Sequence, residues 1–524
     1  MTTTEEQNLL NLTLPGFLEQ ACKRFPVRTA IHFKGLELDY QTLWVYANRF
    51  AAGLSGLGIE KGDRVAIMLP NCPQYVVAYY GILLAGGIVV QLNPMSVERE
   101  IDYFLSDSGT KAMVVFAPLL PKVAGAPSSA NLVKKIVVDL PPTGTVYEGD
   151  AVGFEAFVAG APIPTSQVEI SPEDVAVLQY TGGTTGRSKG AMLTHRNIAV
   201  NAYQTYVVMG GEQKEQDRFL VVLPLFHVYG MTVAMNAGIV GGSQLVILPR
   251  FDLEETLNTI RETRPTIFPG VPTMYVAINS HPKAEEYGIS SIRICVSGSA
   301  PIPVEVIKEF EAKTGGTMIE GYGLSEASPV THFNPLEKRK PGSIGSTLVY
   351  TEAKIVDVSD RTKELPPYEA GELLIRGPQV MKGYWNMPEE TAETIQDGWL
   401  HTGDIARRDE DGYYYILDRK KDMIIAGGFN VYPRDVEEVL YQHPAVQEAV
   451  VIGVPDEYRG ENVKAFLVPK PGVTLTEQEM SVFCREKLAA YKVPRIFEFR
   501  SELPKTAVGK ILRRTLREEE FKRV

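Results

Sequence analysis

Residues 180–193 read YTGGTTGRSKGAML. Apolar runs lie on either side, AVLQY before and AMLTH after, and between them the chain gathers glycines, hydroxyls, Arg187 and Lys189. Backbone N–H groups freed by glycine, together with threonine and serine hydroxyls and a lysine, make a cradle for oxyanions. The mononucleotide loop of the form GxxxxGK[ST] opens directly into a helix. Here Gly190 stands where its metal-binding hydroxyl would be, and AMLT reads as a strand with a helix starting only after Thr194. The stretch therefore predicts a loop between two strands within an α/β domain.

The surrounding chain narrows the choices. At 524 residues it is too long for a single core. With 44% hydrophobic and 22% charged residues it has the composition of an ordinary globular protein. A net charge of −11 argues against nucleic acid as a partner. Cys22, Cys72, Cys295 and Cys484 lie far apart, with neither metal-ligand spacing nor a disulfide framework, which favours a reducing, cytoplasmic setting. The N-terminal MTTTEEQNLL lacks the features of a signal peptide. YVVAYYGILLAGGIVV (75–90) is uncharged but too short to span a bilayer and is broken by Gly86–Gly87, so it predicts a buried helix and a buried strand. Weak peripheral membrane contact and a homodimer both stay open.

Strand-then-helix units recur at 63–92, 244–270 and 293–310, with Asp252 and Glu255 marked as a capping box. From about residue 340, TEAKIVDV and GELLIRG alternate as in a small antiparallel barrel. Beyond DRKKD (418–422) a strand and helix pattern returns. The expected fold is α/β: a large N-terminal domain (1–420) of two parallel-rich sheets plus the small barrel, and a smaller, mobile α+β domain (421–524).

Four further segments stand out: GYGLSEASP (321–329), DGWLHTGDIARRDEDGYYYILDRKK (397–421), IIAGGFNVYP (424–433) and PKTAVGKILRR (504–514). With the glycine-rich loop, and in this order, they resemble the adenylate-forming superfamily of acyl-CoA synthetases, luciferases and peptide-synthetase adenylation domains, over essentially the whole chain. The longest of them, 397–421, is similar to the signature of fatty acyl-CoA synthetases.

The resemblance implies ATP, Mg²⁺ and coenzyme A, and a site built from these stretches. Thr181, Gly182, Gly183, Thr184, Thr185, Gly186 and Lys189 would hold the phosphates. Tyr322 offers a flat face to a purine, with Gly321 and Gly323 allowing close approach. Ser325 can donate to a phosphate oxygen where the family usually has threonine, and Glu326 can ligate Mg²⁺. Asp404 would accept from both ribose hydroxyls, with Arg419 on ribose or α-phosphate. Lys421 falls at the family's hinge; Gly427, Gly428 and Phe429 on its thiol-side loop; Lys510 at its catalytic lysine.

Implied chemistry has two steps: a carboxylate and ATP give an acyl-adenylate and pyrophosphate, and a thiol then displaces AMP. PLFHVYGM (224–231) and the apolar run after it suit the wall of an acyl slot, with His227 at its mouth and Met231, Gly298, Ser299 and Ala300 along it. Amino-acid-activating relatives carry an aspartate near His227 to pair the substrate ammonium, which argues against amino acids here. Medium- to long-chain fatty acids are the expected substrates. A 4-coumarate-type aryl-CoA ligase shares every nucleotide motif, whereas a phosphate-releasing ATPase switch would yield a different product. In luciferases the oxidative lysine would fall at Ile425.

Overall fold

The computed structural model describes residues 11–521 apart from 162–167, 182–187, 212, 214, 420–421, 427–428, 457–458, 507–508 and 510. The expected Gly182, Gly183, Thr184, Thr185, Gly186, Lys421, Gly427, Gly428 and Lys510, and the side chain of Phe429, therefore lie outside the described residues.

Two large sheets form the N-terminal part. One has nine strands, of which Thr29–Phe33, Arg218–Val221, Gln244–Ile247, Ile267–Gly270, Ile294–Ser297 and Thr317–Gly323 run parallel. The other has eight, with Arg64–Met68, Ile88–Gln91, Ala112–Phe116, Lys134–Val138, Ala151–Gly153 and Val175–Thr181 parallel. Antiparallel pairing takes over at edges: Thr29–Phe33 with Leu36–Asp39 and Thr317–Gly323 with Val330–Phe333 in the first, and Val175–Thr181 with Lys189–Thr194 and then Gly383–Tyr384 in the second. The glycine-rich loop and the GYG motif expected from sequence fall on these antiparallel borders. A third, all-antiparallel sheet follows, from Glu352–Val356 to Tyr414–Arg419, as the alternation after residue 340 predicts. The C-terminal part has its own five-stranded sheet and core, centred on Ile424, Val436, Val451 and Leu467.

The uncharged stretch 75–90 becomes the helix Pro73–Leu84 and the strand Ile88–Gln91. Tyr75, Tyr79 and Tyr80 on it are fully buried. Their hydroxyls find partners inside: Tyr75 donates to the Leu225 carbonyl at 3.1 Å and Tyr80 to Asn236 Oδ1 at 2.7 Å, while Tyr79 accepts from Asn236 Nδ2 at 3.2 Å. Among the described residues no helix is long and apolar enough to cross a membrane. Asp252 accepts from the Glu255 N–H at 3.0 Å, so half of the expected capping box forms.

Candidate active site

The strand Val175–Thr181 returns as Lys189–Thr194, with Thr181 opposite Lys189 across the base of the glycine-rich loop. Thr194 caps the helix His195–Val208, accepting from the Asn197 N–H at 3.1 Å, so a strand and not a helix leaves the loop. Side chains from a distant helix, Glu98–Ser108, brace the loop's base. Tyr103 donates to the Ser188 carbonyl at 2.7 Å, and Tyr180 donates to Asp107 at 2.6 Å. The Asp107 carbonyl accepts from Trp385 Nε1 at 3.0 Å, which ties the 383–386 stretch to the same helix.

Gly321–Tyr322–Gly323 ends the strand Thr317–Gly323. A Cβ on Gly323 would lie 2.0 Å from the Pro329 carbonyl oxygen, and one on Gly321 would lie 3.2 Å from the Phe333 ring. Gly323 is thus demanded by the neighbouring backbone and Gly321 is tightly packed, beyond the access to a purine expected of them. Tyr322 packs edge-on against His332, with ring centroids 5.9 Å apart, and His332 in turn against Tyr414 at 4.6 Å.

The Tyr322 hydroxyl donates to Asp404 Oδ2 at 2.5 Å. Asp404 lies opposite Arg419 in the third sheet, with Oδ1 3.4 Å from Arg419 Nε. Burial first, and then the Asp404 charge, push the Tyr322 phenol well above its usual range, so it remains a donor. Partial desolvation opposes the Arg419 charge, but Asp404, Tyr322, Asp422 and Glu326 around it more than offset this. Three expected nucleotide residues, about 80 and 100 positions apart, are therefore one electrostatic unit.

A second unit lies beside it. Ser325 and Glu326 form a short turn after Gly323, and Glu326 Oε1 accepts from the Tyr384 hydroxyl at 2.8 Å. Lys189 Nζ sits 5.2 Å from the Tyr384 ring centroid and pairs with Glu390. Tyr384 and Glu390 had no place in the sequence reading. Antiparallel pairing of Tyr384 with Ala191 brings them to the loop.

Around His227 three buried amides fix the chain. Asn71 donates to the Leu223 and Leu248 carbonyls at 2.9 and 3.1 Å, Gln91 to Leu225 at 3.2 Å and Gln179 to Phe226 at 3.3 Å. His227 Nδ1 accepts from the Tyr229 N–H at 3.3 Å. Met231 is fully enclosed in the main core, at the start of a π-helical turn, Gly230–Asn236. Gly298 faces the Tyr229 ring, where a Cβ would lie 3.1 Å from it. Tyr229 itself is fixed by donation to the Val296 and Gly270 carbonyls at 2.8 and 3.1 Å. Ser299, half-buried like Ala300, takes a left-handed φ of 66°.

Residues around the expected hinge form a third cluster. Asp418 accepts from the Arg434 N–H at 3.2 Å and lies 3.4 Å from Arg513 Nη1. Arg513 also holds both oxygens of Glu437, at 2.7 and 2.6 Å, and Arg517 holds Asp422 at 2.7 Å. Burial raises the Asp418 carboxyl to about 6, with Arg513 opposing it. Gly509 packs on the N-terminal part: a Cβ there would meet Thr273 Oγ1 at 2.7 Å.

Residues 18–385 match the AMP-binding enzyme family, and 435–510 match the AMP-binding enzyme C-terminal domain. The chain belongs to the AMP-binding enzyme family. It is 49% identical to a long-chain-fatty-acid–CoA ligase of Bacillus subtilis (strain 168), over 98% of this chain and 96% of that one. The crystal structure of the anthranilate CoA ligase AuaEII in complex with anthranoyl-AMP superposes with a TM-score of 0.89 at 31% identity, covering 98% of each chain. ATP-bound MatB from Rhodopseudomonas palustris gives 0.88 at 32% identity, over 97% of this chain and 99% of that one.

Proposed function

We propose that the protein is an ATP-dependent fatty acid–CoA ligase for medium- to long-chain substrates. In the first half-reaction a fatty carboxylate oxygen attacks the α-phosphorus of ATP, and the bond to pyrophosphate breaks. In the second, the CoA thiol attacks the acyl carbonyl of the adenylate, AMP leaves, and a thioester remains.

The observation that carries this reading is the Tyr322–Asp404–Arg419 unit beside Glu326, Tyr384 and Lys189. Tyr322 presents a ring for adenine, Asp404 an acceptor for ribose hydroxyls and Arg419 a fixed cation for phosphate. Lys189, at the base of the 182–187 loop, faces the departing phosphates. Glu326 has one oxygen satisfied by Tyr384, and the other would take Mg²⁺, an ion that binds one or two carboxylates and keeps its waters. When bound, it would neutralise charge on the phosphates. Lys510 would bridge carboxylate and α-phosphate, and the C-terminal domain would turn about Lys421 between the half-reactions. Catalysis of this kind rests on positioning and on charge complementarity.

Full-length identity to a long-chain-fatty-acid–CoA ligase supports an acyl chain as substrate. Similarity to the anthranilate ligase keeps an aryl acid as the second reading. Cytoplasmic residence fits the four free cysteines. Pyrophosphate release measured across C6–C18 fatty acids and a set of aryl acids tests the proposal. Turnover rising with chain length supports it, and turnover confined to aryl acids overturns it.

A further inference from the structure

Lys189 is held from two sides. Its Nζ lies 5.2 Å from the Tyr384 ring centroid and pairs with Glu390, and only 13% of its side chain is exposed. Its partner differs in one respect. The Glu390 side chain is 37% exposed, on the short helix Pro388–Thr394 at the protein surface. The ammonium is anchored by a ring and a strand, whereas the carboxylate can turn into water. Tyr384 also donates to Glu326, so the pair sits within the groups proposed above to surround the phosphates.

A carboxylate and a phosphate oxygen compete for the same ammonium donors, and two anions converging on one cation repel each other. We propose that Glu390 is a place-holder for the nucleotide's outer phosphates: it pairs with Lys189 in their absence, yields when they bind and reclaims the lysine as pyrophosphate leaves. It is a positioning residue that acts through Lys189, and its effect is to favour pyrophosphate release. This rests on the reading of Lys189 as a phosphate-side cation.

The test is titration of the full-length protein with inorganic pyrophosphate and magnesium, comparing wild type with Glu390→Gln. Glutamine keeps the volume and removes the charge. The variant should bind pyrophosphate about three- to fivefold more tightly, the scale of a partly exposed ion pair. KM for ATP should fall alongside, and product inhibition by pyrophosphate should strengthen. In a Lys189→Met background the Glu390→Gln effect should vanish. Unchanged or weaker pyrophosphate binding in Glu390→Gln overturns the proposal, as does an effect that persists without Lys189. A matching melting temperature separates the result from a folding defect. Fatty-acid-dependent pyrophosphate release by the wild type, assayed on the same preparation, reports separately on the proposed function.

Discussion

Tyr322 and Asp404, 82 residues apart, share a 2.5 Å hydrogen bond that ties the expected adenine platform to the expected ribose acceptor. The phenol is a donor because burial and the Asp404 charge both oppose its ionisation. Tyr322→Phe keeps the ring and removes the donor, so it separates stacking from anchoring. Hydrogen bonds to charged groups contribute about 1.5–3 kcal/mol, so KM for ATP should rise about tenfold or more. The preference for ATP over 2′-deoxy-ATP should narrow as Asp404 loses its fixed orientation. An unchanged preference would separate Asp404 from the ribose.

Glu326 depends on a residue from another part of the chain, since Tyr384 orients its Oε1. Glu326→Gln should raise the magnesium concentration needed for half-maximal activity. Tyr384→Phe should do so by about tenfold, the usual effect of losing a group that orients a metal ligand. Both variants should keep the wild-type melting temperature. A magnesium titration with an unmoved midpoint in Glu326→Gln removes it from the metal site.

Glu320, the residue before GYG in the strand Thr317–Gly323, is buried, and burial raises its carboxyl to about 7 against the attraction of Arg434. It also accepts from the Gly342 N–H at 2.9 Å. Between the unfolded value of 4.5 and about 7 the folded chain keeps a proton that the unfolded chain releases. Stability from this group is therefore full below pH 4.5 and is lost as pH rises through about 7. The whole effect is on the order of 3 kcal/mol. Glu320→Gln should flatten the fall in melting temperature between pH 5 and 8; an identical slope in the two proteins would show that Glu320 does not titrate there.

Gly298 and Tyr229 set the space beside the expected acyl slot, with 3.1 Å between the ring and a Cβ at 298. Tyr229 has little freedom to yield, since two carbonyls hold its hydroxyl. Gly298→Leu would start with its Cβ against that ring, so its outer atoms must take the space beside the ring, which is where the acyl chain is expected. Each excluded methylene is worth about 0.8 kcal/mol, so activity should fall more steeply with each carbon added to the substrate. Uniform loss from C6 to C18 would assign Gly298 to packing alone.

The parallel sheets, the strand after the glycine-rich loop and the helix from His195 were legible because their apolar periods and the Thr194 cap are local signals. Tyr322, Asp404 and Arg419 were legible through motifs, although nothing in the sequence indicated that the three are bonded together. Tyr384 and Glu390 were not legible. They reach Lys189 only through pairing between strands some 190 residues apart, and MKGYWNMPEE reads locally as a turn and a helix start. Asn71, Gln91 and Gln179 were missed for a related reason: a buried amide carries no periodic signature. DRKKD looks like a solvated charge run, yet Asp418 and Asp422 are buried against arginines of the last helix.

That last cluster bears on how Lys510 is presented. Arg513, three residues beyond it, reaches back to Asp418, which precedes the expected hinge. Gly509, immediately before it, packs on Thr273 of the N-terminal part. Gly509 and Arg513 thus each touch the N-terminal part, one before and one after position 510. On the proposed role of Lys510, Lys510→Ala should lower adenylate formation by about 100-fold or more, the scale of losing a cation that offsets transition-state charge. Supplied with ready-made acyl-adenylate and CoA, the same variant should still form thioester. Asp418→Asn should weaken adenylate formation in the same selective way but less severely, because Arg513 keeps both bonds to Glu437 and the C-terminal core is untouched. Measuring the two half-reactions separately decides between presentation and fold. Equal loss in both would mean that Asp418 and Lys510 support the structure and do not distinguish one step from the other.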